Sequence, residues 1–213
     1  MRKIALLTLL AAVSFSLRAE GPAGMFSYDG LAFEKDVHAG AGLSWMSYVP
    51  EGDLSTTPAA RPGCSVGAGV AMKILQGLYL RGELDVSLRR SGNSDLDVNY
   101  NPVYACLPVT LELRVPLCDH LDILASGGFW GACGLGGSSV NGTVKTPFFG
   151  SDADNFAVRP DYGWTAGLGC IICGKVRVSA AFGYGIKDIA NSHTLEVGHF
   201  YNNYLSFGLG YIF

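Results

Sequence analysis

Charge is scarce in this chain. Asp, Glu, Lys and Arg supply 15% of its 213 residues, against ~25% in an ordinary soluble domain, which leaves few ions to cover a water-facing surface. Long apolar runs are missing too. Beyond the N-terminal leader, no stretch approaches the ~20 consecutive apolar residues of a spanning helix. Apolar residues at helical spacing are also absent, so no helix of substance is expected. What the chain has instead is a 49% hydrophobic composition and 29 glycines, with neither a collagen period nor a low-complexity tract.

The leader covers residues 1–19. Arg2 and Lys3 precede an apolar run from Ile4 to Val13, and small or permissive residues lead to Ala19. This is the pattern of a cleaved secretory signal peptide. No Cys sits just after the cleavage site, so a lipoprotein anchor is not indicated. Cleavage before Glu20 leaves 12 basic and 18 acidic residues, a formal charge of −6, which argues against nucleic acid as a partner.

The dominant signal downstream is a period of two, the signature of strands. Leu78, Leu80, Leu84, Val86 and Leu88 alternate with Tyr79, Arg81, Glu83, Asp85, Ser87 and Arg89. Eight such segments run roughly over Val37–Tyr48, Cys64–Ile74, Leu78–Arg89, Val103–Val115, Leu121–Leu135, Tyr162–Ile172, Val176–Lys187 and Tyr201–Phe213. The connections alternate between short (Leu75–Gly77, Pro116–His120, Cys173–Lys175) and long (Val49–Gly63, Arg90–Asn101, Gly136–Asp161, Asp188–Phe200). The expected fold is therefore an all-β, eight-stranded antiparallel transmembrane up-and-down β-barrel, with short periplasmic turns and long extracellular loops. Residues 37–213 form the barrel, and residues 20–36 are expected to precede it in the periplasm.

The polar parity decides which face is out. It is rich in Gly and Ser (Gly40, Gly42, Ser44, Ser65, Gly67, Gly69, Ser179, Ser206), small residues suited to a crowded lumen. The strand charges Lys73, Arg81, Glu83, Asp85, Arg89, Glu112, Arg114, Asp122, Arg177 and Lys187 share it. They are expected to form an ion network inside the barrel, because an unpaired buried charge is strongly disfavoured. Arg90 alone falls on the other parity, at a strand end, where a membrane interface tolerates it. The last strand places Leu205, Phe207, Leu209, Tyr211 and Phe213 on the outward parity, a pattern resembling the C-terminal signal read by the barrel-assembly machinery.

The stretches "LYLRGELDVSLRRSG", "VYACLPVTLELRVPL", "DYGWTAGLGC", "FGYGIKDIAN" and "NYLSFGLGYIF" occur in an order that resembles the porin-like outer-membrane β-barrel family, PorT-type proteins included, with the small eight-stranded barrels as wider kin. The resemblance implies a Gram-negative outer membrane and lipopolysaccharide as surroundings. It implies no shared catalytic set. The six cysteines depart from the family. Cys64, Cys133 and Cys170 fall on the outward parity and Cys106 on the inner one, while Cys118 and Cys173 sit in two turns at one end, where a bridge would need Cα atoms within about 7 Å.

No cofactor, metal or catalytic residue is expected. Asn141 and Gly142 read as a turn. The long loops carry a surplus of acid that includes Asp161, Asp188 and Glu196. In the last loop Ser192, His193, Glu196 and His199 offer a Ser–His–acid set for a lipid-A-deacylase-like enzyme, or a metal set. The leading expectation is a non-enzymatic outer-membrane barrel, its lumen filled by side chains, that meets an envelope or surface partner through its loops. The alternatives are that enzyme and a narrow diffusion pore.

Overall fold

The computed structural model describes residues 32–50, 58–93, 98–150, 156–191 and 198–213. The leader and most of the segment before the barrel lie outside them. Among the described residues, ten strands form one sheet: β1 Ala32–Pro50, β2 Pro58–Leu75, β3 Leu78–Leu88, β4 Ser91–Asn93, β5 Val98–Cys118, β6 Leu121–Asn141, β7 Val144–Pro147, β8 Pro160–Ile172, β9 Val176–Gly185 and β10 Gly198–Ile212. Every pairing between them is antiparallel.

Eight of the strands close a ring. β1 pairs with β2, β2 with β3, β3 with β5, β5 with β6, β6 with β8, β8 with β9, and β9 with β10. β10 returns to β1 over fifteen partners, from Asp36↔Ile212 to Pro50↔Gly198. Closure satisfies the backbone of both terminal strands and removes the sheet edges. Local chemistry sets the short turns. Gly77 has φ +79° between β2 and β3. Cys173 (φ 51°) and Gly174 (φ 67°) supply the two positive φ values of a type I′ hairpin, closed by Lys175 N–H donating to the Ile172 carbonyl.

The structure extends the expected strands at the loop end and shifts their limits. β1 begins five residues before Val37, so Glu34 and Asp36 belong to the barrel wall rather than to a segment preceding it. The expected loop Arg90–Asn101 is largely sheet: β4 pairs with both β2 and β5. Gly136–Asp161 begins as a hairpin, with β6 turning at Asn141–Gly142 (φ +56°) into β7. Arg89 lies just past the end of β3, and Lys187 just past the end of β9.

The wall is inverted relative to a water-soluble protein. Leu84, Leu107, Phe129, Leu168, Phe207 and Leu209 are all more than half exposed on the outside. Arg81, Arg89, Glu112, Arg114 and Arg177 are buried inside. The outer strand of the C-terminal pattern behaves likewise. Phe207, Leu209, Tyr211 and Phe213 point outward and Leu205 is half-buried, with the Tyr211 and Phe213 rings edge to face at 5.3 Å.

Candidate functional site: the barrel interior

The interior is organised in levels. At the turn end Leu124, Ile171 and Ile212 form a small buried apolar cluster. Next to it Glu112, fully buried on β5, accepts from Arg114 Nε at 2.5 Å and from both terminal nitrogens of Arg177 on β9. Arg114 also donates to Glu34 at 2.6 Å, and its guanidinium lies 3.8 Å from the centre of the Tyr79 ring. One carboxylate thus bridges two cations on opposite sides of the lumen.

The middle level joins β1 to β3. Arg81 donates to both oxygens of Asp36, at 2.6 and 2.8 Å, and through Nε to Glu83 at 2.7 Å. His38 lies between two carboxylates, with Nδ1 2.9 Å from Asp36 and Nε2 2.7 Å from Asp85. The intervening strand permits this. Gly69 on β2 faces Asp36 and Glu83 in register, and a Cβ there would meet the Arg81 guanidinium and the Asp36 carboxylate. A side chain at Gly69 would therefore break the pair.

The upper level is aromatic. The Arg89 guanidinium packs 4.4 Å from the ring centres of Trp130 and Tyr204 and 5.4 Å from that of Tyr104. Cys106 Sγ accepts from its Nη2 at 3.2 Å. Three rings thereby do for Arg89 what carboxylates do for Arg81 and Arg177. Above it the connection after β7 folds into the mouth. Phe148 and Phe149 are buried there with Met46, Val98, Tyr100, Tyr104, Ala157 and Ile189. The Phe149 ring meets Tyr104 at 5.2 Å, and the Phe148 ring meets Tyr100 at 5.8 Å.

Between the levels the lumen is hollow, which corrects the expectation of a lumen filled by side chains. Two adjoining cavities of about 130 and 90 Å³ share Ser65, Arg81, Glu83, Asp85, Arg177 and Ser179. The small residues that suggested crowding (Gly40, Gly42, Ser65, Ser179, Ser206) are what leave the space open. Its hydroxyl and ionic lining suits water.

Of the ten strand charges read from the sequence, the structure brings Arg81, Glu83, Glu112, Arg114 and Arg177 into ion pairs with one another or with β1. Asp85 pairs with His38. Arg89 is held by rings. Lys73 is half-buried near the turn end, in register with Tyr79. Asp122 is half-buried beside the β5–β6 turn, and neither it nor Lys187 belongs to these ion pairs. Glu34, Asp36 and His38 were missed. Their parity with Gly40, Gly42 and Ser44 is the signal that places them inside.

All six cysteines are free; Cys118 and Cys173 are exposed at the turn end, and Cys106 is buried beneath Arg89. Asp161, expected on a loop surface, is buried and accepts from Asn202 at 2.8 Å. Ser192, His193 and Glu196 lie outside the described residues. His199 is 2.6 Å from Asp188, whose other oxygen accepts from the Ala190 and Phe200 N–H groups at 3.0 and 3.1 Å. Partial burial would raise the Asp188 carboxyl, but these three partners hold it below the usual carboxylate range. Among the described residues, His38, Glu83 and Asp85 are the His, Cys, Asp and Glu side chains grouped closely enough to share a metal ion, with donor atoms within 4.8 Å of one another.

No protein-family model and no curated protein matches the sequence. Solved structures do match. Over 89% of this chain and 98% of its counterpart, the fold is similar to the outer-membrane protein OprG of Pseudomonas aeruginosa, with a TM-score of 0.52 and 12% identity. Neisserial surface protein A matches 87% of this chain and 100% of its own, with a TM-score of 0.47 and 16% identity. At such identities the likeness is one of fold: an all-β antiparallel barrel of the small outer-membrane kind. The finer resemblance to PorT-type proteins rests on the sequence pattern alone.

Proposed function

We propose that this chain is a non-enzymatic integral protein of the Gram-negative outer membrane, a non-conducting barrel that carries loops for contact with an envelope or surface partner. The carrying observation is an inverted wall around an interior crossed by buried ion pairs and packed rings. Outward Leu, Val and Phe side chains would be unfavourable in water at ~25 cal/mol per Å² of apolar surface and are at ease among acyl chains. A backbone satisfied by ring closure is what a bilayer demands of strands. The cap at Phe148 and Phe149, the Arg89 level and the Glu112 bridge each span the lumen, which favours a scaffold over the diffusion-pore alternative.

The leader supplies export in this reading, lipopolysaccharide surrounds the loop end, and the strand ending at Phe213 is presented to the assembly machinery. Of the enzymatic alternative's set His199 alone is described, and its contact with Asp188 can orient a base but brings no nucleophile beside it among the described residues. The test is electrical. Purified barrel reconstituted in planar bilayers is expected to show little or no steady conductance. A large, persistently open channel would contradict this reading.

A further inference from the structure

The middle level of the lumen contains a set of donors that a scaffold role does not use. His38 and Asp85 sit on β1 and β3, with β2 between them. The register aligns His38, Gly67 and Asp85 in one row. A Cβ at Gly67 would overlap the Asp85 carboxylate and press on the Leu84 carbonyl. Only a bare backbone there lets His38 Nε2 reach Asp85 across a whole strand. Glu83 faces the same gap, and its Oε1 is engaged by Arg81, which leaves Oε2 for another partner.

The far side of the imidazole is equally arranged. Nδ1 faces Asp36, and Asp36 is fixed by the two-pronged Arg81 contact. A carboxylate on one ring nitrogen fixes the tautomer and aims the other nitrogen outward, as behind metal-bound histidines. One imidazole with two carboxylates is a nitrogen–oxygen set suited to first-row divalent ions. The adjoining cavity of about 90 Å³, lined by the same three side chains with Ser65, Ser179 and Ser206, has room for water to complete a coordination shell. Charge also balances: a divalent ion with two carboxylates and a neutral imidazole is formally neutral, which suits an enclosed lumen.

We propose that His38, Glu83 and Asp85 form a binding site for a first-row divalent transition metal inside the barrel, with Asp36 as the positioning residue. The ion replaces the proton shared by His38 Nε2 and Asp85. Small rotations of the two carboxylates bring the donors to the ~2.0–2.2 Å that such ions require. The competing outcome is a purely ionic cross-brace, with a protonated His38 between two carboxylates and no affinity for metal.

The experiment titrates Co²⁺ and then Zn²⁺ into the folded barrel in detergent micelles, reading Co²⁺ absorption bands and stoichiometry. One equivalent is expected. His38→Ala and Asp85→Asn should abolish it, and Gly67→Ala, which fills the gap, should weaken it strongly. Asp36→Asn should weaken it about 10–100-fold, the usual cost of losing such a partner. His199→Ala, at the start of β10 and away from this level, should leave it unchanged. Should the His38 variant fail to fold, ¹⁵N spectra of the unaltered protein decide. Zn²⁺ is expected to shift the His38 Nε2 resonance, and an unmoved resonance overturns the proposal. So does the absence of saturable binding, or binding lost in His199→Ala but retained in Asp85→Asn.

Discussion

Replacing Glu112 with Leu is expected to destabilise the barrel by about 3–5 kcal/mol, the usual cost of stranding a buried charge. Glu112 is fully buried and carries both Arg177 contacts as well as one from Arg114. Arg114 keeps Glu34 when Glu112 is lost. Arg177 keeps no carboxylate among the described residues, and it sits on β9 facing the lumen. The effect should therefore fall mainly on Arg177, and a second change should reveal it. The Glu112→Leu/Arg177→Leu double variant is expected to recover much of the loss, because two well-packed apolar residues often equal a buried ion pair. Urea unfolding in lipid vesicles, followed by Trp fluorescence, measures both. A single variant within 1 kcal/mol of the parent would mean that the Glu112 bridge is solvated.

Arginine at Val109 should be nearly as damaging, for a different reason. Val109 points outward midway along β5, between Gly82 on β3 and Phe129 on β6. A cation there faces the centre of the acyl layer and is expected to cost about 2–4 kcal/mol. The same substitution at Phe213, at the end of the wall, should cost about 0–1 kcal/mol. The contrast is the informative quantity. Both positions are exposed apolar sites in the isolated molecule, so only a surrounding layer of graded polarity separates them. Equal small costs at the two sites, measured by the same unfolding assay, would argue that the outer face meets water.

How much of this was legible in the sequence follows from what a period of two encodes. Alternation in "LYLRGELDVSL" assigns each residue to a face, so Arg81, Glu83 and Asp85 could be sent inward without knowing their partners. It does not say which strand lies opposite. The partner of Arg81 is Asp36, two strands away, and depends on a β1–β2–β3 register that no local pattern fixes. Glu34, Asp36 and His38 escaped for a related reason. Polar residues outnumber apolar ones around them, which puts the expected strand start at Val37, yet backbone pairing with β2 and β10 carries β1 further.

The loop end was the least legible. β4 and β7 exist because longer neighbours offer them hydrogen bonds, and neither alternates on its own. The seating of Phe148 and Phe149 in the mouth is a tertiary contact between residues far apart in sequence. The cavity was misread because glycine and serine on a lumen face are compatible with crowding or with vacancy. Cross-lumen distance decides between the two, and local sequence does not contain it.

The account depends on one assignment, that in the middle of β5 the odd-numbered residues face acyl chains and the even-numbered ones are enclosed. Spin labels placed singly at Leu107, Pro108, Val109, Thr110 and Leu111, in a cysteine-free barrel in vesicles, test it directly. Collision with lipid-soluble oxygen should be high at 107, 109 and 111 and low at 108 and 110, while a water-soluble nickel chelate should reach none of the three odd positions. Strong nickel relaxation at 107, 109 and 111 would contradict it.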